Sequence, residues 1–523
     1  MRKPRIMFYH DGRHPHIYRY EPPMQKEQYQ ACIDELVGTP VEAIMFCLGE
    51  GRTVLHDTKV GELLGHNVDK WDHLVFHRAY QNAKGLIEEG HDPLRIVCDR
   101  AHEKGLLLYP TLLVQHFGPE VASVRCSNFR LDNPHLEIRA RGDLNPDLPW
   151  IDGLDFKPPE VHDERFALIE ETLNEYPVDG FELQLNNYPR YFHPDEVKAG
   201  VSIMTDWIGR VHEAVKRSGA NRELVIRVPA SLEDALSIGL DLEMWVKGGI
   251  VDALVGEPFS APHRIDPNTD FRPLAAVVKG SACRCIAAIH SHVDSDRLAQ
   301  APISMVRAAA CNYWEQGVNG LYLAQWFPHW PYQADFYERL REIPYPDIME
   351  AKDKYYYIPT ENARPHDPWA ATQLPIEMEL NRPVTAKFTV SDNLPHWDKV
   401  GRVHEVLLRV GIAGTTELDR IRFSLNRNEL PESLLRKINQ MYRMSGPRNR
   451  SGPTYWFIFR LDRAHWPPQG ENELEVTLLE RDPDVLGAVS LRDVELELKY
   501  LMGRNFHRGY VDPDLGPHGY GVS

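Results

Sequence analysis

The chain has 523 residues, 42% hydrophobic and 26% charged, a balance that excludes a disordered or membrane-embedded chain and a length that points to two or three domains, one of them large. Lys plus Arg total 59 against 76 Asp plus Glu, a formal charge of -17, so a polyanion such as nucleic acid is excluded as a partner unless a local basic patch overrides the average. No run of about 18 apolar residues marks a membrane span.

The densest arginine group, Arg436 to Arg450, reads as a solvated loop. The opening "MRKPRIMFYH" lacks the apolar stretch of a secretory signal, so the chain as written is expected in the cytoplasm, with export open only if a signal has been removed. The cysteines, Cys32, Cys47, Cys98, Cys126, Cys283, Cys285 and Cys311, contain no C-x-x-C. They read as buried thiols, not as a disulfide framework or a zinc site.

In chain order, "RIMFYHD" and "VEAIMFCLG" are the first two candidate strands. "GHDPLRIVCDRAHEKGLLLYPTLLVQHFG" then gives the clearest local grammar: Asp92 caps a helix, Pro93 suits its first turn, Leu94, Val97, Cys98 and Ala101 share one side, and Gly105 stops it before an apolar strand. The same order of amphipathic helix and strand returns at "DERFALIEETLNEYPVDGFELQL", at "MTDWIGRVHEAVKRSGANRELVIRVPAS" and at "SMVRAAACNYWEQGVNGLYLAQW". With "VDALVGEP" and "CRCIAAIHS" the strands number eight. Eight strands alternating with helices predict a (β/α)8 barrel over residues 1–350. No glycine-rich phosphate fingerprint follows the first strand, which removes the main support for a dinucleotide-binding sheet.

After about residue 350 the period changes to two, in "PVTAKFTV", "HEVLLRVGI", "RIRFSLN", "TYWFIFRL", "NELEVTLLE" and "DVELELKYL". These predict an antiparallel β-sandwich over 376–505. Residues 351–375, containing "YYYIPTENARPHDPWAATQLP", read as a linker or wrapping segment, and 506–523 as an extended or loose tail.

The active site of such a barrel lies at the C-terminal ends of its strands, which turns the strand list into a list of candidates. Strand 1 ends at His10 and Asp11, strand 2 near Glu50 and strand 3 at Gln115 and His116; strand 5 carries Arg227, strand 6 Glu257, strand 7 His290 and His292, and strand 8 Gln325 and Trp326. Strand 4, "VDGFELQLNNYPRYF", alternates so that Phe181, Leu183 and Leu185 form one row and Glu182, Gln184 and Asn186 the other. A polar row on a buried strand is expected to line a solvent-filled mouth that a sugar's hydroxyls can enter. Glu182, held among apolar neighbours, is the candidate general acid, and an ion pair with Arg227 that only fixes geometry is the competing reading. A glycosidase needs a second carboxyl group, for which Asp11 and Glu257 are the candidates and Glu50 a third.

Residues 1 to about 340 resemble the bacterial glycosyl-hydrolase-like (β/α)8 proteins described as family-10-like glycosyl hydrolases, through "VDGFELQLNNYPRYF", "GHDPLRIVCDRAHEKGL", "RVPASLEDALSIGLDLEMWVKGGIVDALV" and "VRAAACNYWEQGVNGLYL". The resemblance implies a carbohydrate-directed barrel that retains Glu182. Relatives tend to read D-G-x-E-L-D in this strand, and Gln184 stands where their second carboxylate would be. Either the partner comes from another strand or the barrel only binds.

Tyr188, Tyr191, Phe192, Trp326 and Trp330 could stack on sugar faces from the loops after strands 4 and 8, or close the top of the core. Two H-x-H pairs, His14 with His16 and His290 with His292, raise a metal-dependent hydrolase as a rival, but the first lies beyond strand 1 beside a proline, and a sugar-binding or structural role for His290 is preferred. The expectation is therefore a glycoside hydrolase with no cofactor and no metal, acting on a carbohydrate. Glu182 is its acid and Asp11 or Glu257 the second carboxyl group; Gln184, Asn186, His10, His116, Arg227, His290, Gln325, Trp326 and Tyr191 hold the substrate. The sandwich is expected to pack on the barrel, and a homo-oligomer is left open.

Overall fold

The computed structural model describes residues 3–115, 122–148, 150–259, 264–296, 299–327, 330–360, 372–440, 448, 450 and 454–502, with two short paired strands at 511–512 and 516–517. The N-terminal part is a closed parallel barrel of β1 (Ile6–His10), β2 (Ala43–Glu50), β3 (Leu107–Leu113), β4 (Gly180–Gln184), β5 (Glu223–Pro229), β6 (Ala253–Glu257), β7 (Arg284–Ile289) and β8 (Gly320–Leu323). Each strand pairs with the next, and β8 and β2 both pair with β1. All eight lie on the stretches the sequence nominates.

Local chemistry explains how the elements are cut. Asp92 Oδ1 accepts the Leu94 amide at 3.0 Å to open the helix Pro93–Glu103, and Gly105, at φ 74°, closes it. In β2 the register slips between Cys47 and Gly49. A side chain at Gly49 would lie 1.9 Å from the Thr53 carbonyl oxygen, so the bulge and the return to the short strand Thr53–Val54 require glycine there.

Strand alternation divides the core in two. Phe8, Ile44, Leu108, Phe181, Leu183, Leu224 and Ile226 face the helices, whereas Met7, Tyr9, Met45, Tyr109, Val225, Val255 and Tyr322 fill the barrel. The alanines Ala43, Ala253, Ala288 and Ala324 share that interior. Their small volume leaves room for three tyrosines and Arg227 at close-packed density. All seven cysteines are buried free thiols, and no helix among the described residues is long and apolar enough to cross a membrane.

The C-terminal part is a sandwich-like pair of antiparallel sheets. Its strands are β9 (Lys354–Tyr357), β10 (Ile376–Met378), β11 (Pro383–Val390), β12 (Val403–Ala413), β13 (Arg420–Leu425), β14 (Asn428–Glu429), β15 (Leu435–Gln440), β16 (Thr454–Arg460), β17 (Gly470–Glu480) and β18 (Val489–Tyr500). One sheet has the order β9-β18-β12-β16-β15, with β10 also on β18, and the other β11-β17-β13-β14. Leu408, Val410, Phe457 and Leu496 meet Phe388, Phe423 and Val476 between them.

Two sequence expectations are corrected here. Lys354–Tyr357, inside the expected linker, is a buried strand paired with β18. Its successive side chains are anchored by distant partners, Lys354 by Asp392 and Tyr355 by Glu495, which local pattern does not reveal. The arginine-rich segment is not a wholly solvated loop either. Arg448 and Arg450 are buried, and both bond Asp294 of the barrel, at 2.9 and 3.0 Å, while Arg450 also holds Asp493 at 2.8 Å. The expected tail falls largely outside the described residues.

The sandwich is fixed along the helix Ile303–Glu315. Ala308 lies within the sandwich core, and Asn312 Nδ2 donates to the carbonyls of Pro267 and Thr389 at 2.8 and 2.9 Å. Removing one partner of a buried ion cluster costs about 3–5 kcal/mol because it strands the opposite charges. Arg448→Met should therefore lower the melting temperature and separate barrel from sandwich unfolding in calorimetry; an unchanged single transition would show that the cluster does not join the two parts.

Candidate active site

The interior row of β4 is at the centre of the site, set by register. Pairing places Glu182 beside Thr111 and Val225, and Gln184 beside Arg227. Thr111 Oγ1 donates to Glu182 Oε2, Tyr322 OH donates to the same oxygen at 2.9 Å, and Arg227 Nε donates to Oε1 at 3.1 Å. The competing reading of the sequence, an ion pair between Glu182 and Arg227, is thus present in the structure. Arg227 also donates through Nη2 to Tyr322 OH and packs against the rings of Tyr9 and Tyr322, 4.7 and 4.4 Å from their centroids. Burial alone would lower its guanidinium; Glu182, Tyr322 and Glu257 outweigh it and hold it above its ordinary value.

One expectation needs correction. Glu182, Gln184 and Asn186 are 0%, 3% and 0% exposed, so the row is enclosed within the barrel rather than washed by solvent. Register turns these side chains inward as expected, but the large interior residues close over them.

Glu257, at the end of β6, is the second carboxyl group at this centre. Asn186 Nδ2 donates to its Oε2 at 2.8 Å, His290 Nε2 lies 3.0 Å from Oε1, and Arg227 Nη1 lies 3.9 Å from the same oxygen. Burial would raise this carboxyl; His290, Arg227 and Asn186 outweigh it and hold it down at about 2. Gln184 Oε1 and Arg227 Nη1 are buried and make no hydrogen bond, and each such atom costs free energy until a partner satisfies it.

The other candidates go elsewhere. Asp11 is occupied by its own loop: Oδ1 accepts from the Arg13 amide at 2.8 Å and faces His14 Nδ1 at 2.8 Å, while Oδ2 binds the Arg13 guanidinium at 2.9 Å. Burial opposes ionisation there, yet Arg13 and His14 hold the carboxyl well below the usual range. His10 accepts the Gly12 amide at Nδ1, 3.1 Å, and burial pushes its imidazole down to about 4. Gln115 is spent on the carbonyls of Leu154 and Arg190. His116 lies outside the described residues, as does the side chain of Glu50.

Trp326 and Tyr191 belong to the packed core. Tyr191 donates to the Leu185 carbonyl at 2.7 Å. Gln325 adopts φ 58°, a left-handed conformation that breaks the alternation of β8, so Trp326 swings to the helix side and donates to the Ile289 carbonyl at 2.8 Å. The H-x-H pairs diverge: His14 turns to Asp11, His16 is buried against Tyr29 at 4.5 Å, and His292 Nδ1 faces Ser291 Oγ at 3.0 Å.

Thr111 and Tyr322 went unnoticed in the sequence. Both were accessible to the same rule that found Glu182, since Tyr109 and Thr111, and Tyr322 and Ala324, occupy the inward parity of their strands.

No protein-family model matches the chain, and no curated protein matches it, so the family-10-like grouping is not shown. Solved structures that it matches include α-L-fucosidase isoenzyme 2 from Paenibacillus thiaminolyticus (12% identity, TM-score 0.42, 66% of this chain and 49% of that one). Others are an α-L-fucosidase from Vibrio sp. strain EJY3 (12%, 0.38, 94% and 96%) and an α-amylase from Lactobacillus plantarum (10%, 0.40, 90% and 98%). The chain spans about half the length of the first. These neighbours are glycoside hydrolases by name, and at such values the likeness bears no weight for activity or substrate.

Proposed function

We propose that the barrel is a glycoside hydrolase and that Glu257 and Glu182 are its pair of carboxyl groups. The observation that supports this reading is their convergence on one guanidinium, Arg227, from β6 and β4, beside an amide oxygen of Gln184 that has no partner. Glu257 is ionised at neutral pH and takes the role of nucleophile or of base toward water, and Glu182 that of proton donor. For Glu182 to act so, the substrate must take over bonds that Thr111 and Tyr322 now make. Gln184 Oε1 and Arg227 Nη1 supply the acceptor and donor that fix the sugar's hydroxyls. Asp11 has no part in this pair because its own loop uses both oxygens.

A second reading is favoured by the enclosure of Glu182, whose partners all donate to it: a barrel that binds a glycan without cleaving it. Incubation with a panel of oligosaccharides, followed by product analysis, separates the two. The hydrolase reading expects released sugar from the wild type and a fall of about 10²–10⁴-fold in turnover for Glu257→Gln and for Glu182→Gln. Affinity without any product at any pH would sink it.

The charge on Glu257 has its own signature. A carboxyl held at about 2 against an ordinary 4.5 adds stability that is complete above pH 4.5 and lost as pH falls toward 2. Between those values the wild type should lose stability more steeply than Glu257→Gln, by up to about 1.4 kcal/mol per pH unit. Parallel acid-unfolding curves would mean that Glu257 is not held ionised.

A further inference from the structure

A cavity of about 480 Å³ opens where the outer wall of the barrel meets the sandwich, between the end of the helix Ile303–Glu315, the short helix Pro346–Met349 and the segment that begins the helix Leu394–Lys399. A barrel helix runs antiparallel to its strands, so Trp314 and Glu315 lie at the strands' N-terminal ends, the opposite face from Glu257. Arg5, just ahead of β1, sits 4.4 Å from the Trp314 ring and marks that same end.

The floor of the cavity is built and electrically closed. Lys354 Nζ bonds Asp392 Oδ1 at 2.8 Å and the Glu350 carbonyl at 2.8 Å, and Asp392 also accepts from Tyr500 at 2.6 Å and from Tyr356. Lys354 and Asp392 are buried, so neither has charge to offer a ligand. The walls carry two half-buried indoles, Trp314 and Trp397, with Glu315, Glu350, Asn393 and His396 exposed around them. Gln469 Nε2 donates to Glu315 Oε1 at 2.6 Å and braces one side.

We infer that this cavity is a second binding site, for a neutral sugar of one or two pyranose rings. Its volume lies within the ~300–1,000 Å³ of small-molecule pockets. Indoles at its wall offer flat apolar surface to the C–H face of a pyranose, and the Glu315 and Glu350 carboxylates that line the same cavity are acceptors for its hydroxyls. A phosphate or nucleotide meets Glu315 and Glu350 and finds Lys354 already neutralised. A purely apolar ligand would strip water from the same carboxylates without pairing them. The site shares no residue with the proposed hydrolytic centre, so it stands whether or not the barrel cleaves glycans.

Saturation-transfer NMR and calorimetric titration of the full chain test this, with methyl α-D-glucopyranoside, methyl β-D-galactopyranoside and maltose as probes and choline and inorganic phosphate as counter-probes. At least one saccharide should bind wild type and Glu257→Gln equally. It should bind about tenfold more weakly to Glu350→Ala, an exposed change that leaves the core intact, or to a Trp397→Ala protein that keeps the wild-type circular dichroism. The site is refuted if no saccharide binds, if neither variant weakens binding, if binding is lost in Glu257→Gln instead, or if only choline or phosphate binds.

Discussion

A guanidinium with no exposure to water stands on the inner wall of this barrel, and the arrangement around it follows from the need to compensate its charge. Arg227 comes from β5, and its compensation comes from Glu182 on β4, Glu257 on β6, Tyr9 on β1 and Tyr322 on β8. Five strands are thereby tied to one cation. Desolvating an ion costs several kcal/mol, and well-packed apolar side chains of similar volume commonly serve stability as well or better. The cluster is therefore poorly explained as a device for stability alone. Buried atoms that make no hydrogen bond, Gln184 Oε1 and Arg227 Nη1, add cost that a ligand would remove, which is the physical ground for treating the cluster as a site.

A second buried cluster does for the domain junction what Arg227 does for the barrel. Asp294, just beyond β7, receives Arg448 and Arg450 from the sandwich, and Asp493 of β18 receives Arg450 in turn. Asp294 follows His290 by four residues in the sequence, and His290 faces Glu257. The sandwich thus restrains the segment that shapes one side of the site. It also reaches the far end of the same barrel wall, where Lys354 and Asp392 floor the cavity beside Trp314. Along the helix Ile303–Glu315 the two parts share core as well as charge, through Ala308 and Asn312.

What could be read from the sequence was whatever is written in a short period. All eight barrel strands and six of the seven described sandwich strands of six or more residues announce themselves by alternation or by apolar runs; parity turned Glu182 and Gln184 inward, and Arg227 was found from its place near the end of its strand. Distance in sequence hid the rest. Arg448 meets Asp294 across 154 residues, so a basic cluster that looked solvated is half an ion network. Lys354–Tyr357 resembled a linker because the residues that anchor it, Asp392 and Glu495, lie far along the chain. Trp326 was misjudged for a backbone reason: parity fails where Gln325 turns left-handed. Glu257 was on the list of candidates, but only coordinates reveal that His290 and Asn186 converge on it and that Asp11 is used up by Arg13 and His14.

In the hydrolase reading, charge balance narrows the substrate. Two carboxyl groups surround one guanidinium at the centre, and Arg13, just beyond β1, is engaged by Asp11. An acidic sugar would bring a third carboxyl group into an enclosed space of low polarity, where like charges repel far more strongly than in water. A neutral sugar adds no charge, and its hydroxyls can donate to Gln184 Oε1 and accept from Arg227 Nη1. A hydroxyl is polar, uncharged and able both to donate and to accept, so it pairs with these atoms without adding charge to the centre.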